Sequence, residues 1–116
     1  MSNLSFQSRL KVFKKTNSHC SYCGDFIGTS FDADHVVPLK RGGPTTVENM
    51  VPACRLCNLR KRARSLEEFR RFMACGGVSF DQQQIDFLNK SGHWYAISLF
   101  IDRITSEYKF WFERVK

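Results

Sequence analysis

Two C-x-x-C pairs, Cys20-Ser-Tyr-Cys23 and Cys54-Arg-Leu-Cys57, hold four of the five cysteines in the chain. Each pair presents two thiolates from one tight turn, and together they complete a closed tetrahedral shell around a soft ion. Such a shell has no open position for chemistry, so the ion expected here is a structural zinc that clamps together everything between the pairs. His19 adjoins Cys20 and is an alternative ligand, but four cysteines already fill the shell. Cys75, the odd one out, ends an amphipathic stretch and reads as a buried small hydrophobe.

The chain has 116 residues, enough for one domain and short enough for a metal staple to matter. Hydrophobic residues make up 42% and aromatics 14%, the composition of a folded protein. Its 18 Lys and Arg outweigh 11 acids for a net charge of +7. On charge alone, solubility explains that excess as well as a polyanionic partner does. "MSNLSFQSRLKVFKK" has no apolar core of a signal peptide, and no run approaches the roughly 20 apolar residues of a membrane span. A reducing, cytoplasmic compartment is therefore expected, where thiols bind metal more often than they pair.

Residues 4–15 form an expected helix with Phe6, Leu10 and Phe13 on one face. "SFDADHVV" reads as a strand stopped by Pro38, "KRGGPTTVEN" as a turn-rich loop, and "MVPAC" as a short strand. "RLCNLRKRARS" favours helix. A further helix is expected from a capping box of Ser65 and Glu68, with Leu66, Phe69, Phe72 and Met73 inward and Gly76-Gly77 at its end. Another follows, with Asp81 as cap and Gly92 as terminator. "HWYAISLFIDRI" fits helix or strand equally, and "EYKFWFERV" is aromatic and β-prone.

Between the cysteine pairs, Asp34 and His35 are neighbours near the end of the first strand. Adjacent strand side chains diverge to opposite faces, so one metal is poorly placed to take both. They suit instead a phosphodiester attacked by water, with a metal on the Asp34 side and neutral His35 taking the proton. Taken singly, a solvated acid and a hydrogen-bonded surface histidine explain them better. Asn58 follows Cys57 directly, so a zinc would fix where its amide oxygen points. Lys61 and Arg62 stand one helical turn beyond it. Hard ligands such as Asp34 and Asn58 suit magnesium or manganese.

The order "DH", Asn49 fourteen residues after the histidine, and "CN" ending at Asn58 nine further on resembles the HNH, or ββα-metal, endonucleases. The likeness runs closely from Cys20 to Lys61, in the form with a four-cysteine zinc around the motif. It implies Asp34 and Asn58 as ligands of a catalytic divalent ion, His35 as general base, and Asn49 as the residue that ties down the loop and orients the base. Asn58 stands where the family often has histidine.

The resemblance implies an α+β fold, a ββα-metal core clamped by zinc on Cys20, Cys23, Cys54 and Cys57, with flanking helices. One domain over 1–116 is expected, with its core at 20–65, an N-terminal helix at 4–15 and an extension over 66–116. The expected activity is hydrolysis of DNA, by nicking or double-strand cleavage, with magnesium or manganese as cofactor. Lys40, Arg41, Arg55, Arg60, Lys61, Arg62 and Arg64 are the expected phosphate contacts, with Arg70 and Arg71 beyond them. Duplex DNA is the favoured partner, though RNA offers the same bond, and a homodimer or a larger nuclease, phage or defence complex would supply sequence selection. The rivals are a zinc-knuckle nucleic-acid-binding module without catalysis and a zinc-stapled protein-interaction domain.

Overall fold

In a computed structural model of the chain, residues 4–115 are described. They group into two compact units: the chain up to Leu66 together with the segment from Lys109, and Glu67–Tyr108. The sequence suggested one domain with an extension; here the last residues rejoin the first unit after an excursion through the second. Among the described residues no helix is long and apolar enough to cross a membrane.

The first unit opens with α1 (Phe6–Lys14), whose Ser5 hydroxyl caps the Ser8 N–H at 3.1 Å. Its inward residue is Val12, fully buried, while Phe6 and Leu10 stay exposed. The expected apolar face of Phe6, Leu10 and Phe13 is therefore turned aside by about a residue, because α1 packs on the second strand and the turn before it. Lys15 ties the helix down, its ammonium donating to the Met50 carbonyl at 2.7 Å and to that of Val47.

Strand β1 (Asp32–His35) pairs antiparallel with β2 (Met50–Ala53), with Asp34 opposite Val51 and His35 opposite Met50. The register puts Asp32 and Asp34 on one face and Ala33 and His35 on the other. Helix α2 (Arg55–Lys61) follows at once, capped by the Cys54 sulfur, which accepts the Cys57 N–H at 3.4 Å. This is the expected ββα order.

The loop between the strands is pinned by Asn49. Its side-chain Oδ1 accepts the Val37 N–H at 3.0 Å, and its side-chain Nδ2 donates to the carbonyls of Val37 at 3.0 Å and Pro44 at 2.9 Å. The loop closes so tightly that a Cβ on Gly43 would fall 1.8 Å from the Val37 carbonyl oxygen.

The unit is completed from the far end of the chain. Trp111 and Phe112 donate their backbone N–H groups to the carbonyls of Tyr22 and Ser21, at 3.0 and 2.9 Å. Phe110, fully buried, sets its ring edge-on to Tyr22 with 5.3 Å between centroids. The stretch that read as β-prone is thus extended only up to Phe110 and then turns into the short helix α6 (Trp111–Arg114).

The second unit is helical. Its α3 (Leu66–Ala74) and α4 (Gln82–Lys90) begin and end close to the expected signals, α5 (Trp94–Glu107) follows, and Asp81 and Gln84 form a reciprocal capping box on α4. The ambiguous "HWYAISLFIDRI" is helix, with Ile101 buried and Tyr95 and Leu99 exposed. Arg70 is buried; it grips the Glu67 carboxylate at 2.9 Å and the Tyr108 carbonyl at 2.8 Å. The expectation that Arg70 contacts phosphate is corrected by this: its guanidinium is already used to hold the unit together.

Candidate active site

The four thiols of the two C-x-x-C pairs converge, all their sulfurs lying within 4.8 Å of one another. A tetrahedron with metal–sulfur bonds of about 2.3 Å has sulfur–sulfur edges of about 3.8 Å. Cys23 Sγ and Cys54 Sγ are 3.8 Å apart. The electrostatics agree with the distances. A hydrogen bond from Cys57 pulls Cys20 down to about 4, burial pushes Cys23 up to about 12, and the Cys20 sulfur drives Cys57 up as well. Burial and the neighbouring sulfurs disfavour further negative charge at Cys23 and Cys57, a penalty that a cation among the four sulfurs would relieve. Distances and donor set fit zinc.

The cluster grips both ends of the ββα segment. Cys20 and Cys23 flank Tyr22, and Cys54 and Cys57 open α2, so the strands are held where α2 begins. There the Asn58 amide donates to Asp32 Oδ2 at 3.0 Å, which draws the start of α2 onto the acidic face of β1. On the same face Asp34 is 6% exposed, and its Oδ2 receives the Tyr22 hydroxyl at 2.5 Å. On the opposite face, His35 Nε2 lies 2.9 Å from Thr45 Oγ1.

The HNH endonuclease family is matched by residues 20–64. This segment is an HNH domain. No curated protein matches the chain.

Within the HNH domain, the environment of Asp34 decides how its carboxyl behaves. Burial raises it above the ordinary carboxylate range, while the Tyr22 hydroxyl and the Lys61 ammonium pull it down. Burial, and then the Asp34 charge, push the Tyr22 hydroxyl well above its usual value, so Tyr22 stays a donor. Lys61 is the residue whose position differs most from expectation. It is fully buried, with Nζ 3.2 Å from Asp34 Oδ2 and 2.8 Å from the His35 carbonyl oxygen. A side chain with no exposed surface does not reach a phosphate in this conformation, so Lys61 moves from the expected binding face to the interior of the HNH domain.

The other expected contacts divide by position. Arg55, Arg60 and Arg62 are exposed on or just beyond α2, and Lys40 and Arg41 are exposed on the short 3-10 helix Leu39–Arg41. Arg64 is half-buried and folds back, its guanidinium donating to the Arg60 carbonyl at 2.5 Å. Asn49 reaches Val37 and Pro44, and the partner of the His35 ring is Thr45.

Three residues of the site were not singled out in the sequence: Tyr22, Asp32 and Thr45. Asp32 carried a usable signal, because a strand puts it on the same face as Asp34. Thr45 lies in a turn-rich loop whose path no local rule fixes. The bond from Tyr22 to Asp34 spans 12 residues, and nothing in the spacing announces it.

Proposed function

We propose that the chain is a metal-dependent endonuclease that hydrolyses DNA phosphodiester bonds. The observation that carries this reading is the acid face of β1, on which Asp34 is buried. Asp34 is held by two donors there, Asn58 is drawn to the same face through Asp32, and His35 follows on the same strand. In this reading Asp34 and Asn58 hold the divalent ion through oxygen, the donor type that magnesium and manganese prefer. Bound there, such an ion supplies positive charge for the phosphate and the leaving oxygen.

The chain's own residues do the rest. Thr45 occupies His35 Nε2, so Nδ1 is the ring nitrogen left to take the proton of the attacking water. Asn49 holds the loop that carries Thr45, and through it keeps the ring oriented. The four cysteines carry a structural zinc that fixes α2 against β1. Arg55, Arg60, Arg62, Lys40 and Arg41 meet backbone phosphates, which gives affinity without sequence reading.

The test is plasmid cleavage with and without mild EDTA, run beside a DNA-binding assay. Cleavage should stop in EDTA and return with magnesium or manganese while zinc stays bound. His35→Ala should retain fold, zinc and DNA binding while cutting falls about 10²–10⁴-fold. Binding with no metal-dependent cutting would instead make the HNH domain a zinc-stapled DNA-binding module.

A further inference from the structure

Asp34 is held asymmetrically. Both of its partners, the Tyr22 hydroxyl at 2.5 Å and the Lys61 ammonium at 3.2 Å, meet the same oxygen, Oδ2. Among the described residues no hydrogen bond reaches Oδ1. Nor is Oδ1 sealed in, since among the described residues the buried side-chain oxygens without a partner are those of Ser21 and Thr105. One oxygen is tied to the protein, and the other keeps its lone pairs for something from outside.

We propose that Tyr22 is a positioning residue for the catalytic ion, turning Asp34 so that Oδ1 faces the metal and coupling the four-cysteine cluster to the catalytic centre. The proposal rests on the reading of Asp34 as a metal ligand. A carboxylate that is free to rotate presents either oxygen and loses that freedom on binding metal; one pinned at Oδ2 has lost it beforehand. Lys61 alone does not fix the rotation, because its ammonium is a compact charge on a flexible stem and also serves the His35 carbonyl. Tyr22 supplies direction. It is 3% exposed, with its ring edge-on to Phe110 and Phe112 and its carbonyl accepting from Trp111. Its place between Cys20 and Cys23 means that whatever seats the zinc also seats the hydroxyl.

Tyr22→Phe removes only the hydroxyl oxygen. Zinc content and thermal unfolding are measured first, then manganese binding by titration calorimetry, then cleavage across a manganese series. Manganese affinity is expected to fall about 10- to 100-fold, the usual effect of losing a group that orients a metal ligand. The half-saturating manganese concentration for cleavage should rise by the same factor, with most of the rate recovered at saturation. Unchanged manganese affinity, or a lower maximal rate with the same half-saturation, overturns the proposal. A second measurement needs no substitution. In the unaltered protein labelled at its three tyrosines, the ring resonances of Tyr22 should move during a magnesium titration, and a stationary signal overturns the proposal as well. Asp34→Ala separates the two levels: if it binds manganese as tightly as the unaltered protein, the ligand assignment itself fails.

Discussion

Lys61 shows how much a single position can hide. Placed one turn after Asn58 on a basic helix, it looked like a phosphate contact, yet its ammonium lies inside the protein between Asp34 and the His35 carbonyl. Removing one member of a buried ion pair leaves the other charge without its partner, which typically costs about 3–5 kcal/mol. Lys61→Met should therefore lower the unfolding free energy by about that amount, measured by urea denaturation, while the salt dependence of DNA binding stays where it was. Arg60→Gln should do the reverse. Its side chain is exposed, so stability should hardly change, and the slope of log affinity against log salt should shrink by about 0.9 on duplex DNA. Equal effects of the two substitutions on the salt slope would return Lys61 to the binding face.

At the scale of elements, α2 is short and held at both ends by unusual means. It starts on a cysteine sulfur and stops at Arg62, whose φ of 51° and ψ of −132° lie where side chains other than hydrogen are strained. Such a conformation costs of order 1–3 kcal/mol, and it persists where the residue is wanted for another reason. Arg62→Gly should raise stability by about 1 kcal/mol while weakening DNA binding, both read on the zinc-loaded protein. A variant that is less stable would mean that the arginine side chain, not the backbone, closes the helix. The parts of the fold legible in the sequence were those written in short-range chemistry. The C-x-x-C spacing, the strand stopped before Pro38 and the Asp81 cap each involve only a few neighbouring residues. What stayed illegible depended on partners far along the chain. Residues 94–104 fit two periods, and the exposure of Tyr95 and Leu99 sets aside the alternating one. Residues 108–115 had strand propensity, but among the described residues their long-range backbone hydrogen bonds go to Ser21 and Tyr22, too briefly to extend a sheet. Asp34 and His35 were found by their order, whereas Tyr22 and Thr45 became visible only once the loops were closed.

Across the whole molecule, the HNH domain's own unit is assembled from both sides of the helical one. Phe110 packs on Tyr22, and Trp111 and Phe112 add hydrogen bonds to the backbone of the first C-x-x-C turn. Gly24 answers to the same contact, since a Cβ there would fall 2.2 Å from the Trp111 ring. A chain ending after Tyr108 should lose stability in the first unit and hold zinc less tightly, while the amides of α4 and α5 keep their protection in hydrogen exchange. Full zinc affinity in that truncation would make the segment an ornament of the fold. The arrangement also imposes an order on synthesis. A ribosome delivers the cysteines, Asp34, His35 and Asn58 early, but the aromatic backing of Tyr22 emerges only after the forty-two residues of Glu67–Tyr108 have been made. On the proposed reading, a nascent chain thus carries the candidate ligands and base before the aromatic support of Tyr22 exists, and the site comes into register only once Phe112 has been made.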